Sequence, residues 1–255
     1  MLEVETYRQV AELAVGHEVA RVDAPDPWFL KHGTTADALQ VLVGQTVRGT
    51  RRIGKLLLVD LDGDVLGLRF GMTGRLVVDG QAPIERLEYA PHRTDPAWIR
   101  FALGFQDLGD LLLVDPRRLG GVELDPDTAH LGIDALAVGP AQLRDLLARS
   151  RAPLKALLLD QGRVAGIGNL LADEMLWRAG LDPARPARSL TTAEARRLHK
   201  HLRATILELG DRGGSHTGDL HVHRNRGATC PRDGAPLERR TIGGRTTYSC
   251  PRHQR

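Results

Sequence analysis

Two short tetrads near the C-terminus carry the side chains best suited to holding a metal ion. The sequence reads Cys230-Pro-Arg-Asp233 and, after a spacer, Cys250-Pro-Arg-His253. Paired ligands three residues apart on the two arms of a hairpin are a common way to surround zinc tetrahedrally, and thiolate, imidazole and carboxylate are all zinc ligands. The spacing therefore predicts one structural Zn2+ bound by Cys230, Asp233, Cys250 and His253. The alternative is a hairpin without metal that buries two thiols.

A second stretch, residues 161–170, has the composition of an anion-binding turn. Gly166 and Gly168 permit a tight connection between two apolar segments with helical spacing. Asn169 is placed to cap the second helix, and backbone N–H groups at a helix N-terminus attract anions. The same helix–turn–helix is also an ordinary packing corner, and the residue types alone leave both interpretations open.

Basic residues are concentrated in the last part of the chain. The formal net charge of +3 indicates no particular partner, but from His221 onward eight arginines stand against only Asp233 and Glu238. Such a segment favours a polyanionic partner, whose phosphates attract cations regardless of sequence. A solvated basic face is the alternative.

The chain has no sequence feature of a membrane or secreted protein. Glu3 and Glu5 lie where a signal peptide needs basic residues. No apolar run approaches the roughly 20 residues that span a bilayer. We therefore expect a cytoplasmic protein, nucleoid-associated in a prokaryote, with no membrane partner and a monomeric state. In that compartment metal binding is the better explanation for two nearby cysteines than a disulfide.

The elements that must position these residues change character along the chain. Over residues 44–122, short apolar runs bounded by Asp/Gly turns predict a β-sandwich or barrel, preceded by a helix over residues 4–15. Over residues 140–214, leucines at helical spacing predict a helical domain in which Thr191 and Glu194 form a capping box. The last 40 or so residues are too few to hold a core unaided.

Several segments, taken in order, resemble the formamidopyrimidine-DNA glycosylase and endonuclease VIII family over nearly the whole chain. The resemblance implies an α+β fold: a β-sandwich domain with a leading helix over residues 1–130, a helix–two-turn–helix domain over 131–214 and a zinc-finger hairpin over 221–255. The matching segments are Leu2-Glu-Val-Glu-Thr6, Arg51-Arg-Ile-Gly-Lys55, Phe70-Gly-Met-Thr-Gly-Arg-Leu76, Asp115-Pro-Arg-Arg-Leu-Gly120, and residues 155–174 and 230–254.

The same resemblance implies which residues contact damaged duplex DNA. Phosphates around the damaged nucleotide would be held by Lys55, Asn169 and Arg245, with Lys155 as a further DNA contact at the start of the helix–two-turn–helix. Contacts of this kind fix position without reading bases.

Three further residues match those that fill the gap left by an everted base, namely Met72, Arg117 and Leu119. Eversion of a base costs a few kcal/mol because its stacking on neighbouring bases is lost, and apolar side chains inserted into the gap offset this cost. The family usually has an aromatic residue where Leu119 stands. For Met72 and Leu119, ordinary core packing is the alternative.

The chain departs from the family at its first residues. The family signature begins with a Pro-Glu pair, the proline amine attacking the sugar and the glutamate acting as acid; here Leu2-Glu3-Val4-Glu5 aligns with the second half of that signature. The Met1 amine, with an ordinary pKa near 8, is a chemically reasonable nucleophile. It would start about 7 Å short of the proline position at roughly 3.5 Å per residue, and covalent catalysis tolerates little displacement.

Three hypotheses follow from this departure. The chain is an active glycosylase in which Glu3 or Glu5 activates water or Lys55 supplies an amine; or a catalytically inactive, zinc-containing protein that binds damaged DNA; or its start codon lies upstream. We expect it to hydrolyse the N-glycosidic bond of a damaged base with AP-lyase activity weak or absent, because a lysine attacks only when its pKa falls from about 10.4. A zinc-ribbon module is the alternative outside the family.

Overall fold

Short strands joined by tight turns make up the first of two units into which the chain divides, Glu3–Thr128. The computed structural model describes residues 1–84, 87, 91 and 95–255. Two four-stranded antiparallel sheets form, in the orders β1-β6-β7-β5 and β2-β3-β4-β8. Their strands are β1 (Val19–Asp23), β2 (Gly49–Ile53), β3 (Leu56–Asp60), β4 (Val65–Arg69), β5 (Arg75–Val78), β6 (Ile99–Phe105), β7 (Asp110–Val114) and β8 (Gly121–Leu124).

Apolar residues from both sheets meet in one core, which confirms the predicted β-sandwich. Leu57 and Leu66 enter it from one sheet, and Leu76 and Leu113 enter it from the other. Strand β5 alternates between partly exposed and buried side chains, as is common in antiparallel sheets, whereas β3 is buried on both faces from Leu56 to Val59.

The helix predicted over residues 4–15 forms as α1 (Leu2–Ala11), followed by a 3-10 turn over Glu12–Ala14. Val4, Tyr7 and Ala11 lie one helical turn apart and are buried in the sandwich core. Gly16, with φ of +90°, then turns the chain away in a conformation that favours glycine.

Strand β1 does not show the two-residue period of a half-buried strand. Its two buried side chains, Val19 and Val22, are three residues apart. A bulge between Val19 and Arg21 in the pairing with β6 explains the spacing, because an extra residue in one strand shifts the faces of those that follow.

The second unit comprises Ala129–Arg255 together with Met1 and Leu2. The predicted helical region folds around leucines and small residues, and the capping box is confirmed: Thr191 accepts from the Glu194 N–H and Glu194 accepts from the Thr191 N–H. Its helices and short strands are β9 (Ile133–Asp134), α2 (Pro140–Ala148), α3 (Leu154–Leu159), β10 (Val164–Ala165), α4 (Asn169–Ala179) and α5 (Thr192–Asp211).

The C-terminal hairpin consists of β11 (Glu238–Ile242) and β12 (Arg245–Ser249), joined through Gly243 and Gly244. Its small core contains Trp177 of α4 beside Leu220, Cys230, Ala235 and Cys250. A segment too short to bury a core alone therefore takes its largest apolar side chain from the helical region. Among the described residues, no helix is both long enough and apolar enough to cross a membrane.

Candidate functional site

Asp115 shapes the two loops that carry the predicted wedge residues. Its fully buried carboxylate accepts hydrogen bonds from the Thr73 hydroxyl (2.5 Å), the Arg117 N–H (3.1 Å) and the Gly120 N–H (2.8 Å). One carboxylate thus closes the 115–120 loop on itself and joins it to the 70–74 turn. Charge-assisted bonds of this kind are stronger than neutral ones and hold loop geometry firmly.

The wedge residues are exposed, contrary to the core-packing alternative for two of them. Met72 is 51% exposed and Leu119 is 45% exposed. They lie on neighbouring loops, since a Cβ added at Gly71 would meet the Leu119 Cβ at 2.6 Å. Gly71 also has a φ of +58°, a conformation that favours glycine, so both the close approach of Leu119 and the backbone conformation require glycine there. Arg117, on the same loop, is exposed as well.

Lys55 lies exposed at the tip of the hairpin formed by β2 and β3. Arg52 holds this tip by donating to the Gly54 carbonyl oxygen (2.7 Å) and to Glu5 of α1 (3.2 Å). Arg51 pairs with Asp60 at 2.9 Å. Both arginines that precede Lys55 on this hairpin are therefore paired with a carboxylate, which makes them poor candidates for lowering the pKa of the lysine amine.

Glu3 is half-buried in the first turn of α1, where a helix N-terminus favours a carboxylate. Burial, reinforced by the charge of Glu3, raises the pKa of Tyr7 well above its ordinary range, so the phenol stays protonated. Tyr7 donates to the Gly74 carbonyl oxygen at 3.1 Å and ties α1 to the 70–74 turn. The Met1 side chain, by contrast, is buried in the core of the helical unit.

The turn over residues 161–169 is organised by Gln161. Its side chain accepts from the Gly166 N–H (2.9 Å) and donates to the carbonyl oxygens of Leu159 (2.8 Å) and Ile167 (3.0 Å). The predicted capping role of Asn169 is wrong: Gly168 is the N-cap, without a side-chain bond, and Asn169 is the first residue of α4. The Asn169 amide instead donates to the Thr246 carbonyl oxygen at 3.1 Å.

Lys155 is the site residue that the structure places differently from the prediction. Its side chain is fully buried and pairs with the fully buried Asp173 at 2.6 Å. It also donates to Thr247 Oγ1 (2.7 Å) and to the Thr246 carbonyl oxygen (3.2 Å). A buried ammonium cannot contact a phosphate directly, so the predicted DNA contact is corrected to a positioning role for the hairpin.

Asp173 carries more than the ion pair with Lys155. Arg224 pairs with its second oxygen at 2.9 Å, and the Tyr248 N–H points to the same oxygen at 3.4 Å. Burial raises the pKa of Asp173 and lowers that of Lys155, while each opposes the shift of the other. Through these contacts α3, α4 and β12 are held together, and the exposed Arg245 is placed beside Asn169 at the hairpin tip.

The four predicted metal ligands converge. One ligand atom each from Cys230, Asp233, Cys250 and His253 lies within 4.8 Å of the others. The distances are 3.7 Å from Cys230 Sγ to His253 Nδ1, 3.3 Å from Cys250 Sγ to Asp233 Oδ2 and 3.2 Å from His253 Nδ1 to Asp233 Oδ2. Bonds of about 2.0–2.3 Å require tetrahedral edges of roughly 3.3–3.8 Å. The residues fit a zinc ion.

Neighbouring groups orient these ligands. His253 Nε2 lies 3.2 Å from the Trp177 carbonyl oxygen, which favours a proton there and directs Nδ1 towards the metal. The Trp177 indole N–H donates to Cys230 Sγ at 3.3 Å. The Ala235 N–H, donating at 3.0 Å, holds the pKa of the Asp233 carboxyl below its usual range, so this ligand is ionised.

Three residues that organise the site, Asp115, Asp173 and Trp177, were not predicted from the sequence. Asp115 lay inside a matched segment, but its function depends on Thr73, far away in the chain. Asp173 and Trp177 occur at helical spacing among leucines, and that pattern indicates packing. The one available signal was an acidic residue within an apolar helix, which needs a partner when buried.

Comparisons with known proteins agree over the whole chain. Residues 1–122 match the family described as formamidopyrimidine-DNA glycosylase N-terminal domain, and residues 131–219 match the formamidopyrimidine-DNA glycosylase H2TH domain. The chain is 37% identical over 279 residues to the formamidopyrimidine-DNA glycosylase of Geobacillus kaustophilus, covering 99% of this chain and 98% of the relative. The Thermus thermophilus enzyme of the same name is 37% identical, with 98% and 96% covered.

Solved structures of proteins from this family are also similar to the whole chain. The Lactococcus lactis protein in complex with a FAPY-dG-containing DNA has a TM-score of 0.82 and 26% identity, covering 100% of this chain and 99% of that one. The Thermus thermophilus protein has a TM-score of 0.80 and 33% identity, covering 100% and 98%.

Replacing Lys155 tests the positioning role. Lys155→Met should lower the free energy of unfolding by about 3 kcal/mol, because removing one partner leaves a buried carboxylate undercompensated. Urea unfolding measures this, with Lys200→Met, an exposed lysine of α5, as the matched control. A Lys155→Met protein as stable as the Lys200→Met protein would contradict the role.

We expect the protein to retain one zinc ion per chain after it is washed with a chelator. Cys250→Ser should release the metal and unfold the hairpin, since binding and folding of so small a segment are coupled. Elemental analysis and proteolysis check both effects, and Arg239→Ser, at an exposed position of β11, serves as the control. A hairpin that stays folded in metal-free wild-type protein would refute the zinc site.

Proposed function

The chain belongs to the formamidopyrimidine-DNA glycosylase family, and we propose that it binds damaged duplex DNA, everts the damaged nucleotide and hydrolyses its N-glycosidic bond. The observation that carries the proposal is the pair of exposed apolar side chains, Met72 and Leu119, on loops fixed by the buried Asp115. Folding ordinarily buries side chains of this size, so their rigid presentation to solvent suits insertion between bases.

Phosphate binding is assigned to cations in both units. Lys55 and Arg117 are exposed on the β-sandwich unit, and Arg245 is exposed at the hairpin tip beside Asn169. Lys155 supports Arg245 indirectly, by fixing the neighbouring Thr246 and Thr247 of the hairpin. Contacts to phosphate supply affinity, and the wedge residues supply the preference for a damaged nucleotide.

Zinc, bound by Cys230, Asp233, Cys250 and His253, would contribute structure alone. Four protein ligands fill a tetrahedral site and leave no position for substrate or water. The ion would neutralise the two thiolates and the carboxylate and fix the base of the hairpin that carries Arg245.

Hydrolysis is assigned to water activated by a carboxylate. Glu3 is half-buried in the first turn of α1, and proton abstraction from water needs a carboxylate held in position. Strand cleavage needs an amine that forms a Schiff base with the sugar, and Lys55 and the Met1 amine are the candidates. Arg51 and Arg52 are each paired with a carboxylate, so they do little to lower the pKa of the Lys55 amine. Met1 is buried. Both observations support weak or absent AP-lyase activity.

Duplex binding should weaken steeply with salt, because each neutralised phosphate releases counterions. Arg245→Gln should weaken binding to intact and abasic duplexes alike and reduce the slope of log K against log[salt] by about one. Met72→Ala should lose the preference for the abasic duplex and keep the slope. Fluorescence anisotropy at several salt concentrations measures both, with Arg239→Gln on the same hairpin as the control. A salt-independent affinity would disprove the phosphate assignments.

Borohydride trapping separates the two chemical steps. On an abasic duplex we expect little covalent adduct from a protein of this sequence, while base release from lesion-containing duplexes proceeds and is abolished in Glu3→Gln. Lys55→Ala shows whether any residual adduct comes from that amine. Efficient trapping that persists in Lys55→Ala would mean that the Met1 amine reacts. Absence of base release from every lesion tested would favour the alternative, a zinc-containing protein that binds damaged DNA without catalysis.

A further inference from the structure

Among the described residues, Trp28 is the largest exposed apolar side chain, and the proposed function leaves its exposure unexplained. It lies on a 3-10 turn over Pro27–Phe29 and is 69% exposed. Phe29, its neighbour, is fully buried and anchors the turn in the sandwich core. A tryptophan held outward on an anchored turn offers a flat apolar surface at little entropic cost, which is the property of a binding residue.

The turn that carries Trp28 is attached to the 115–120 loop, which presents Leu119, and to strand β8, which follows that loop. Asp26 caps the turn by accepting from the Trp28 N–H (3.2 Å), and the same Asp26 oxygen accepts from Arg118 of the 115–120 loop. Further on, Leu30 and Val122 form a parallel bridge, and the Lys31 N–H donates to the Val122 carbonyl oxygen at 2.9 Å. Trp28 lies between these contacts, so it is fixed beside the loop that presents Leu119.

Charge around Trp28 suits a polyanion. Three acidic side chains that contact this turn or the 115–120 loop and its flanking strand, Asp26, Asp115 and Glu123, are buried. Basic groups lie close by: Arg117 and Arg118 are exposed, the latter paired with Asp26. The half-buried Lys31 places its ammonium over the Trp28 ring, 5.3 Å from the ring centre. An aromatic surface bordered by cations is the arrangement that binds unpaired nucleic-acid bases.

We propose that Trp28 stacks on an unpaired nucleobase exposed where the wedge residues open the duplex. The inference rests on the proposed function, because only an opened step offers a base face to a side chain on the protein surface. A fully paired duplex hides its base faces in the stack. Trp28 therefore contributes to the preference for opened DNA, and its contribution to general affinity is small.

The test compares two duplexes of one length and sequence, one fully paired and one with a tetrahydrofuran abasic analogue. Trp28→Ala should weaken binding to the abasic duplex at least about fivefold and to the paired duplex by less than about twofold. Trp28→Phe, which keeps an aromatic face, should retain most of the affinity. Val41→Ala, at another exposed apolar position of the same unit, is the control and should match the wild type.

Intrinsic fluorescence gives a second readout. The chain has three tryptophans, and stacking should quench the emission of Trp28 on the abasic duplex only, an effect that Trp28→Phe removes. The inference would be overturned if Trp28→Ala bound the abasic duplex as tightly as the wild type, or if it lost affinity equally for both duplexes. Unchanged binding to the abasic duplex would instead favour a role for Trp28 in contacting another protein. If the wild type binds neither duplex, the proposed function fails as well. If Met72→Ala loses the abasic preference while Trp28→Ala keeps it, only the stacking role fails.

Discussion

Asp173 is the buried carboxylate on which the placement of the C-terminal hairpin depends. It joins Lys155 of α3, Arg224 ahead of the hairpin and the backbone of Tyr248 in β12. A carboxylate in this position would destabilise the fold severely without partners, and two cations with a backbone N–H provide them. Because each partner belongs to a different segment, satisfying one charge fixes three pieces of chain relative to α4.

The β-sandwich unit uses the same device at Asp115. Its carboxylate is fully buried and accepts from Thr73, Arg117 and Gly120. In each unit, one residue expected to contact DNA lies next to the hydrogen-bond network around the buried carboxylate. Met72 precedes Thr73, and Arg245 precedes the Thr246–Thr247 pair that Lys155 holds. The buried carboxylate fixes the backbone geometry of the loop or hairpin, and the adjacent exposed side chain is free to contact DNA.

This division explains which features the sequence could predict. The metal site could be predicted from spacing, because pairs of ligands three residues apart on the two arms of a hairpin converge with little help from the rest of the fold. The four ligands are Cys230, Asp233, Cys250 and His253. Short apolar runs and the capping box at Thr191 are likewise local signals, and the sandwich and α5 formed as expected.

Features that depend on distant partners were beyond such local signals. Lys155 was expected to contact DNA because it begins the segment that resembles a helix–two-turn–helix, and only the fold shows that Asp173 and Thr247 enclose it. Asn169 has the residue type of an N-cap, yet its amide is engaged by the Thr246 carbonyl group of the hairpin. In each case the competing interaction comes from another part of the chain, and no window of sequence contains both partners.

Strand β12 connects the two devices that hold the hairpin. It spans the five residues Arg245–Ser249, about 16 Å at roughly 3.3 Å per residue, and leads directly into Cys250. The Asp173 network fixes its start through Thr246, Thr247 and Tyr248, and the metal ligands fix its end. An extended strand has no slack, so a change at either anchor must be absorbed at the other. The tip that carries Arg245 is therefore held jointly, and neither the zinc ligands nor the buried carboxylate is dispensable for its position.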